Sequence, residues 1–202
     1  PAIVQNAGWE FEWTSTNIHT NYFSWSSSIN LTIPYNKLIA YPNISASAYA
    51  YTYKVGEPLY KKALFQSEGV DPQTGLYSYH DVDKNGSIDY PNDLQFLKSV
   101  GRRYYGGFEN KVSYKNISLS FMFQFVNQTG YNYLRNFSNP GTLSNQPSVV
   151  LSRWRKPGDK TDVEQYTSDV TPAFFAYLNA YSSDLILSDA SYIRLKNISI
   201  SY

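Results

Sequence analysis

Two segments on either side of Lys115-Asn116 alternate between apolar and polar side chains. The odd positions from 117 to 125 are all apolar, and most of the even positions between them are polar. In the preceding segment the apolar residues Phe108, Val112 and Tyr114 occupy even positions. A two-residue turn at Lys115-Asn116 places both apolar sets on one face without a slip in register. The pattern therefore predicts a β-hairpin with strands at about 104–114 and 117–126.

The same period of two predicts three further strands, at about 8–16, 22–34 and 191–202. In the last of them the apolar phase changes between Leu195 and Ile198. One extra residue moves every later side chain to the opposite face, so we expect a β-bulge near Lys196-Asn197. A weaker alternation of tyrosines at 47–55 is consistent with one more strand.

The predicted strands have one apolar and one polar face. The apolar face carries Trp9, Phe11, Trp13, Phe23, Trp25, Leu119, Phe121 and Phe123, and the polar face carries Glu10, Glu12, Ser24, Ser26, Ser28, Glu109 and Lys111. A soluble β-sandwich would bury the apolar face against a second sheet, whereas a membrane barrel would expose it to lipid. Carboxylates such as Glu10 and Glu12 are costly inside a sandwich but cost little beside a water-filled lumen.

Short and long connections alternate along the chain. The turns at Asn17–Asn21 and Lys115-Asn116 are short, while the connections at about 35–103 and 127–190 are long and polar. Outer-membrane barrels have short periplasmic turns and long extracellular loops, and two such loops would be unusual in one sandwich. The predicted strands also have the roughly 9–11 residues that a tilted strand needs to cross a bilayer.

Composition excludes several classes of protein. The chain contains no cysteine, so it has neither disulfides nor a thiolate metal site. Its net charge of +1 gives no electrostatic case for nucleic-acid binding. Aromatic residues make up 17% and include 20 tyrosines, which favour strands and membrane interfaces. Its start without Met and its end within an apparent strand favour a fragment.

An acidic turn at Asp81–Asp89 matches the first part of a Ca²⁺-binding loop. Oxygen ligands at alternate positions and a glycine at the sharp turn are what such a loop requires. Position twelve departs from the pattern, since it is Asn92 and an acidic residue, Asp93, follows one later. The alternative is an Asx-rich turn that caps backbone N–H groups without a metal. The ligands of a structural Ca²⁺ would be Asp81, Asp83, Asn85, Ser87 and Asp89.

Candidate contacts for a substrate or partner lie in the second long connection, where Arg153, Trp154 and Arg155 follow one another. Their alternative role is Arg–aromatic packing that orders the loop. Catalysis has no support in the sequence. The two histidines, His19 and His80, lie apart, and no nucleophile motif or histidine metal cluster is present. We therefore expect a protein that is not an enzyme and that requires no cofactor.

Seven motifs, in order, resemble the C-terminal part of a SusC/RagA-type TonB-linked outer-membrane transporter. They cover nearly the whole chain and are Gln5–Phe11, Phe23–Ser26, Val55–Pro58, Gly69–Gly75, Asp81–Asp89, Arg153-Trp154 and Ser191–Asn197. The resemblance implies an all-β fold, in which residues 1–202 form an antiparallel segment of one large, about 22-stranded transmembrane barrel. The plug domain is absent from this chain.

The resemblance also implies a location and partners. We expect a multi-pass protein of the bacterial outer membrane that imports oligosaccharides or peptides. Its partners would be a SusD-like lipoprotein lid, TonB acting through the missing plug, the remainder of the same transporter, and outer-membrane lipid. The alternative that the residues leave open is a secreted β-sandwich that binds glycans or acts as an adhesin.

Overall fold

The computed structural model describes all 202 residues. Strands dominate, and the longest helix has 9 residues. The strands are β1 (Ile3–His19), β2 (Phe23–Ala40), β3 (Lys61–Leu64), β4 (Ser67–Val70), β5 (Tyr77–Tyr79), β6 (Gln95–Ser99), β7 (Gly101–Tyr114), β8 (Ile117–Tyr131), β9 (Leu187–Asp189) and β10 (Tyr192–Ser201). The helix α1 spans Pro172–Ala180, and four short 3₁₀ segments lie at Ile44–Ala46, Tyr133–Arg135, Ser148–Ser152 and Asp184–Ile186. None of these helices is long and apolar enough to cross a membrane.

The five long strands form one antiparallel sheet in the order β1-β2-β7-β8-β10, with β9 added beside the far end of β8. Strand β1 pairs only with β2, and β10 pairs only with β8, so both edges are open. The long strands extend beyond the ranges predicted from the sequence, and β2 reaches Ala40. The all-β prediction and its antiparallel order are confirmed.

The hairpin at Lys115-Asn116 has the predicted register. Tyr114 lies opposite Ile117, and Phe108 lies opposite Phe123. Lys115 has a left-handed φ of 52°. Such a φ is typical of a two-residue turn that matches the twist of its strands. The bulge in β10 is also confirmed, because the register shifts between Leu195 and Asn197.

Residues that lie opposite each other on neighbouring strands keep the apolar and polar faces of the sheet separate. One row runs through Trp13, Ile29, Phe108, Phe123 and Leu195. The neighbouring row on the other face runs through Glu12, Asn30, Gly107, Gln124 and Arg194. All the residues that the sequence placed on the apolar or the polar face occupy the expected side of the sheet. The apolar side stays open, with Trp9 70% and Trp13 56% exposed.

The two long connections fold against each other. Their common core combines residues before β7 with residues after β8 and consists of Leu64, Phe65, Tyr77, Tyr79, Leu134, Tyr177, Ala180, Ile186 and Leu187. An isolated bridge between Phe65 and Ser183 ties the two connections together. This unit comprises residues 41–100 and 132–191, and we call it the cap.

One secondary-structure prediction is wrong. The segment 47–55 forms turns and no strand. Its tyrosines pack against one another and against Tyr41 with tilted rings, the ring centroids of Tyr49 and Tyr53 being 5.7 Å apart and those of Tyr41 and Tyr49 6.2 Å apart. Alternating aromatic residues there pack locally, and no neighbouring strand offers the segment a hydrogen-bonding partner.

Candidate functional site

The polar face of the sheet is the first candidate surface. Below the cap it carries hydroxyl, amide and charged side chains across all five strands, including Glu10, Glu12, Glu109, Lys111 and Arg194. Neighbouring hydroxyls bond across the strands, as between Ser113 and Ser118 at 2.8 Å. A face with this composition suits contact with water.

Two glycines bring β2 and β7 close together near the end of their pairing, Gly106 on the apolar side and Gly107 on the polar side. A Cβ on Gly106 would lie 2.0 Å from the carbonyl oxygen of Asn30. The neighbouring Gly107 donates its backbone N–H to the Asn30 side chain at 2.8 Å. Pairing of β2 with β7 ends at Thr32 and Tyr105, and beyond it the two strands separate. This fork lies directly beneath the cap.

The apolar face contains one polar cluster, whose groups hydrogen-bond to one another. Asn110 is only 4% exposed, and its Oδ1 accepts hydrogen bonds from the Trp25 indole at 2.9 Å and from Ser27 at 2.7 Å. Asn17 donates to the Ser27 hydroxyl at 2.7 Å. A face that meets hydrocarbon needs this arrangement, because lipid offers no hydrogen-bonding partners. The alternating pattern did not predict this cluster, since Asn110 appears in it only as a polar interruption of the apolar positions.

The acidic turn is closed by its own backbone. Asp81 accepts hydrogen bonds from the N–H groups of Lys84 at 2.7 Å and Gly86 at 2.7 Å, and those of Gly86, Lys84 and Asn85 hold its pKa below the usual range. Gly86 has the left-handed φ, 86°, that the sharp turn requires. These contacts match the Asx-turn alternative and are compatible with a cation loop.

Asp93, which follows the predicted ligand positions, completes the acidic cluster. It is fully buried, and its carboxylate accepts the N–H groups of Val82 and Asp89, each at 2.7 Å. One carboxylate oxygen from each of Asp81, Asp83 and Asp93 lies within 4.8 Å of the others. Asp93 therefore brings a third carboxylate to the turn, one position after the missing glutamate. Asn85, Ser87 and Asp89 lie in the same turn, and Ca²⁺ binding stays a prediction.

The loop residues Arg153, Trp154 and Arg155 pack within the cap. The Trp154 ring lies against Gly75, and its indole N–H donates to the Pro72 carbonyl at 3.0 Å. The Arg153 guanidinium lies 3.5 Å from the centroid of Tyr166. Arg155 donates to the Leu151 carbonyl at 2.9 Å. The structure thus shows the packing that the alternative interpretation described, and a contact with substrate or partner stays a prediction.

Glu164 is a buried carboxyl that the sequence did not single out. It is fully buried beside β5, and its Oε2 accepts the Tyr77 N–H at 3.4 Å, while Oε1 has no hydrogen-bond partner. Burial raises its pKa to about 8. The tyrosines Tyr77, Tyr79 and Tyr177 surround it. No motif marks this position, because it lies in a polar stretch typical of exposed loops.

Known proteins resemble the chain over nearly its full length, although no family model matches it. TonB-dependent receptor P26 of Formosa agariphila is 27% identical over 98% of the chain, and TonB-dependent receptor P3 of the same organism is 25% identical over 98%. TonB-dependent receptor P39 of that organism is 30% identical over 59%. The chain spans 22% of the length of P26 and of P3 and 12% of P39.

Solved structures share the fold. The RagAB peptide importer in its open-open state superposes with a TM-score of 0.75 at 20% identity, covering 98% of this chain and 22% of that one. A second structure of the RagAB peptide transporter gives 0.70 at 21% identity, covering 98% and 23%. The resemblance inferred from the motifs is confirmed, and the chain has the fold of a segment of such a barrel.

Proposed function

We propose that this chain forms part of the barrel wall of a TonB-dependent outer-membrane importer for oligomeric nutrients, either oligosaccharides or peptides. The observation that carries the proposal is the separation of the two faces across five paired strands. The apolar face would contact lipid, and the polar face would line the lumen. The role is transport and not catalysis, in keeping with relatives named as receptors.

The dimensions of the apolar face support this orientation. On β2 its outward positions run from Phe23 to Tyr35, where Lys37 follows. At about 3.3 Å per residue these twelve steps cover about 40 Å along the strand. A strand tilted by about 45° would then cover about 28 Å of membrane, close to the roughly 25 Å apolar band of such barrels.

A secreted β-sandwich is disfavoured by the same face. A sandwich must cover Trp9, Phe11 and Trp13 with a second sheet, but these side chains are 70%, 55% and 56% exposed. The hydrophobic core lies in the cap and consists of residues from the two long connections. Lipid is therefore the medium that suits the apolar face best.

The cap would face the cell exterior and contact a SusD-like lipoprotein that closes the mouth. Supporting this, the chain shares its fold with the RagAB importer, and both long connections leave the same end of the sheet. Energy would come from TonB through a plug in another part of the same transporter. These partners are inferred from the relatives and from the position of the cap.

The experiment is detergent extraction of the native cells, followed by mass spectrometry of the proteins that co-purify with this polypeptide. We expect it in the outer-membrane fraction, together with a surface lipoprotein. Recovery as a soluble protein of 23.1 kDa would overturn the proposal.

A further inference from the structure

The fork between β2 and β7 contains a groove with an excess of positive charge. Its cavity of about 390 Å³ lies where the two strands separate, under the two-stranded sheet formed by β3 and β6. A second polar cavity of about 390 Å³ adjoins it against β8 and β9, and both are lined by Lys98 and Arg103. Lys61 and Arg102 also line the first.

Two of these four cations form salt bridges and two do not. Lys61 pairs with Glu57 at 2.9 Å, and Lys98 pairs with Asp184 at 3.4 Å. Arg102 and Arg103 are exposed and form no ion pair with a carboxylate within 4.0 Å. The positive charge of Arg103 reaches Asp189, whose pKa is lowered first by hydrogen bonds from Ser191 and then by this arginine.

The β3–β6 sheet above the groove also places like charges together. Lys62 lies directly opposite Lys98 in the β3–β6 pair. Like charges directly opposite each other destabilise a two-stranded sheet, and Lys62 has no carboxylate partner.

The groove opens toward the polar face. Pro34, which lines it, continues the row of polar-face positions on β2, and Arg102 lies opposite Gln128 on that side of β8. The Arg102 guanidinium covers the Tyr105 ring, with its carbon 5.2 Å from the ring centroid. This stacking holds the group in place and leaves its edge donors free for a planar oxyanion.

We propose that this groove binds carboxylate groups of the imported oligomer as it enters the lumen. The inference rests on the proposed import function. Arg102 and Arg103 supply paired donors, and Lys98, which lines both cavities, adds positive charge. The carboxylates could come from an acidic peptide or from a uronic-acid oligosaccharide, because both carry the same group.

The test uses the full-length transporter purified with its lid. Binding of fluorescent hexaglutamate and of fluorescent hexagalacturonate is measured by thermophoresis, with hexaglutamine as the neutral probe. We expect at least one anionic probe to bind, hexaglutamine to bind much more weakly, and added NaCl to reduce the affinity. The anionic probe that binds identifies the source of the carboxylate.

Variants localise the site. Arg102→Gln with Arg103→Gln should raise the Kd for the anionic probe at least about tenfold, and the double change to Lys should recover part of the affinity. The matched control is Arg135→Gln with Lys160→Gln, since Arg135 also covers a tyrosine, Tyr131, but lies outside both cavities.

Unchanged affinity in the Arg102→Gln/Arg103→Gln variant, or equal binding of hexaglutamine, would overturn the groove assignment. Outer-membrane location and co-purification with the lid are measured in the same preparations. If these persist while neither anionic probe binds, the groove is refuted and the importer proposal stands.

Discussion

The sheet and the cap solve the same burial problem in opposite ways. In the cap, large apolar side chains from both long connections meet in one core, where Phe65 and Tyr177 are each 3% exposed. In the sheet, tryptophans and phenylalanines point outward, and Trp9 is 70% exposed. A water-soluble unit buries its apolar groups, whereas a membrane wall leaves them for lipid. In the proposed importer, the sheet would therefore depend on the membrane and the cap would stand in water.

The largest effect is expected from removing a core ring of the cap. Phe65→Ala leaves a cavity among Tyr79 and its neighbours and should cost the cap about 3–5 kcal/mol. The change should leave insertion of the barrel intact. Limited proteolysis of membranes should show faster cleavage within 41–100 and 132–191, while Phe175→Ala, at a ring 57% exposed, should behave like wild type.

A charged substitution on the apolar face should destabilise the sheet rather than the cap. Phe121 lies at the middle of the apolar positions 117–125 of β8, and Phe121→Arg should cost about 2–4 kcal/mol near the bilayer midplane. The matched control is Ser120→Arg, one residue away on the polar face. Heat-modifiable migration of the assembled barrel is the measurement. Normal assembly of Phe121→Arg would contradict the orientation of the sheet.

The contact between Gly75 and Trp154 tests how the two connections are joined. A Cβ on Gly75 would lie 2.3 Å from the Trp154 ring, and the residue has a φ of 73°. Gly75→Ala should therefore displace the ring and add strain of about 1–3 kcal/mol. Gly158→Ala is the control, because its φ of 95° gives similar backbone strain in open space. Tryptophan fluorescence should shift only in the first variant.

Glu164 makes the stability of the cap depend on pH. Its pKa rises from 4.5 to about 8 on folding, so the folded cap holds the proton more tightly than the unfolded one. Its stabilising contribution is complete below pH 4.5, falls as the pH rises, and is lost above about pH 8. Glu164→Gln should flatten this dependence in protease-resistance measurements corrected for protease activity. A wild-type cap equally resistant across this range would contradict the prediction.

The smallest effect is expected at the acidic turn, because backbone N–H groups already hold Asp81. Millimolar Ca²⁺ should give a heat of binding to the intact protein and slow proteolysis near residues 81–93. Asp83→Asn should reduce both effects. If calorimetry detects no heat in the wild type, the turn is closed by hydrogen bonds alone.

The long strands could be predicted from the sequence because their signal is local. Alternation of side chains fixes the register at Tyr114 and Ile117, and the phase change after Leu195 reveals the bulge. The tyrosines at 47–55 show the limit of that signal, since alternation without a neighbouring strand gives no sheet.

The cap could not be predicted in this way. Its core joins Leu64 to Tyr177, which are far apart in the chain, and no local pattern records such a pairing. The packing of Trp154 against Gly75 and the burial of Glu164 depend on the same distant contacts. Only Asp93 had a visible signal, because it follows the Ca²⁺-loop pattern by one position.

The most direct test of the central claim is a single-cysteine spin-label scan of residues 118–124 in the full-length protein in lipid. This segment contains no native cysteine, so each label in it has a known position. We predict that labels at 119, 121 and 123 are most accessible to oxygen dissolved in the bilayer, and that labels at 118, 120 and 124 are most accessible to a water-soluble nickel chelate. Accessibility without this alternation, or with the opposite phase, would contradict the assignment of the apolar face to lipid.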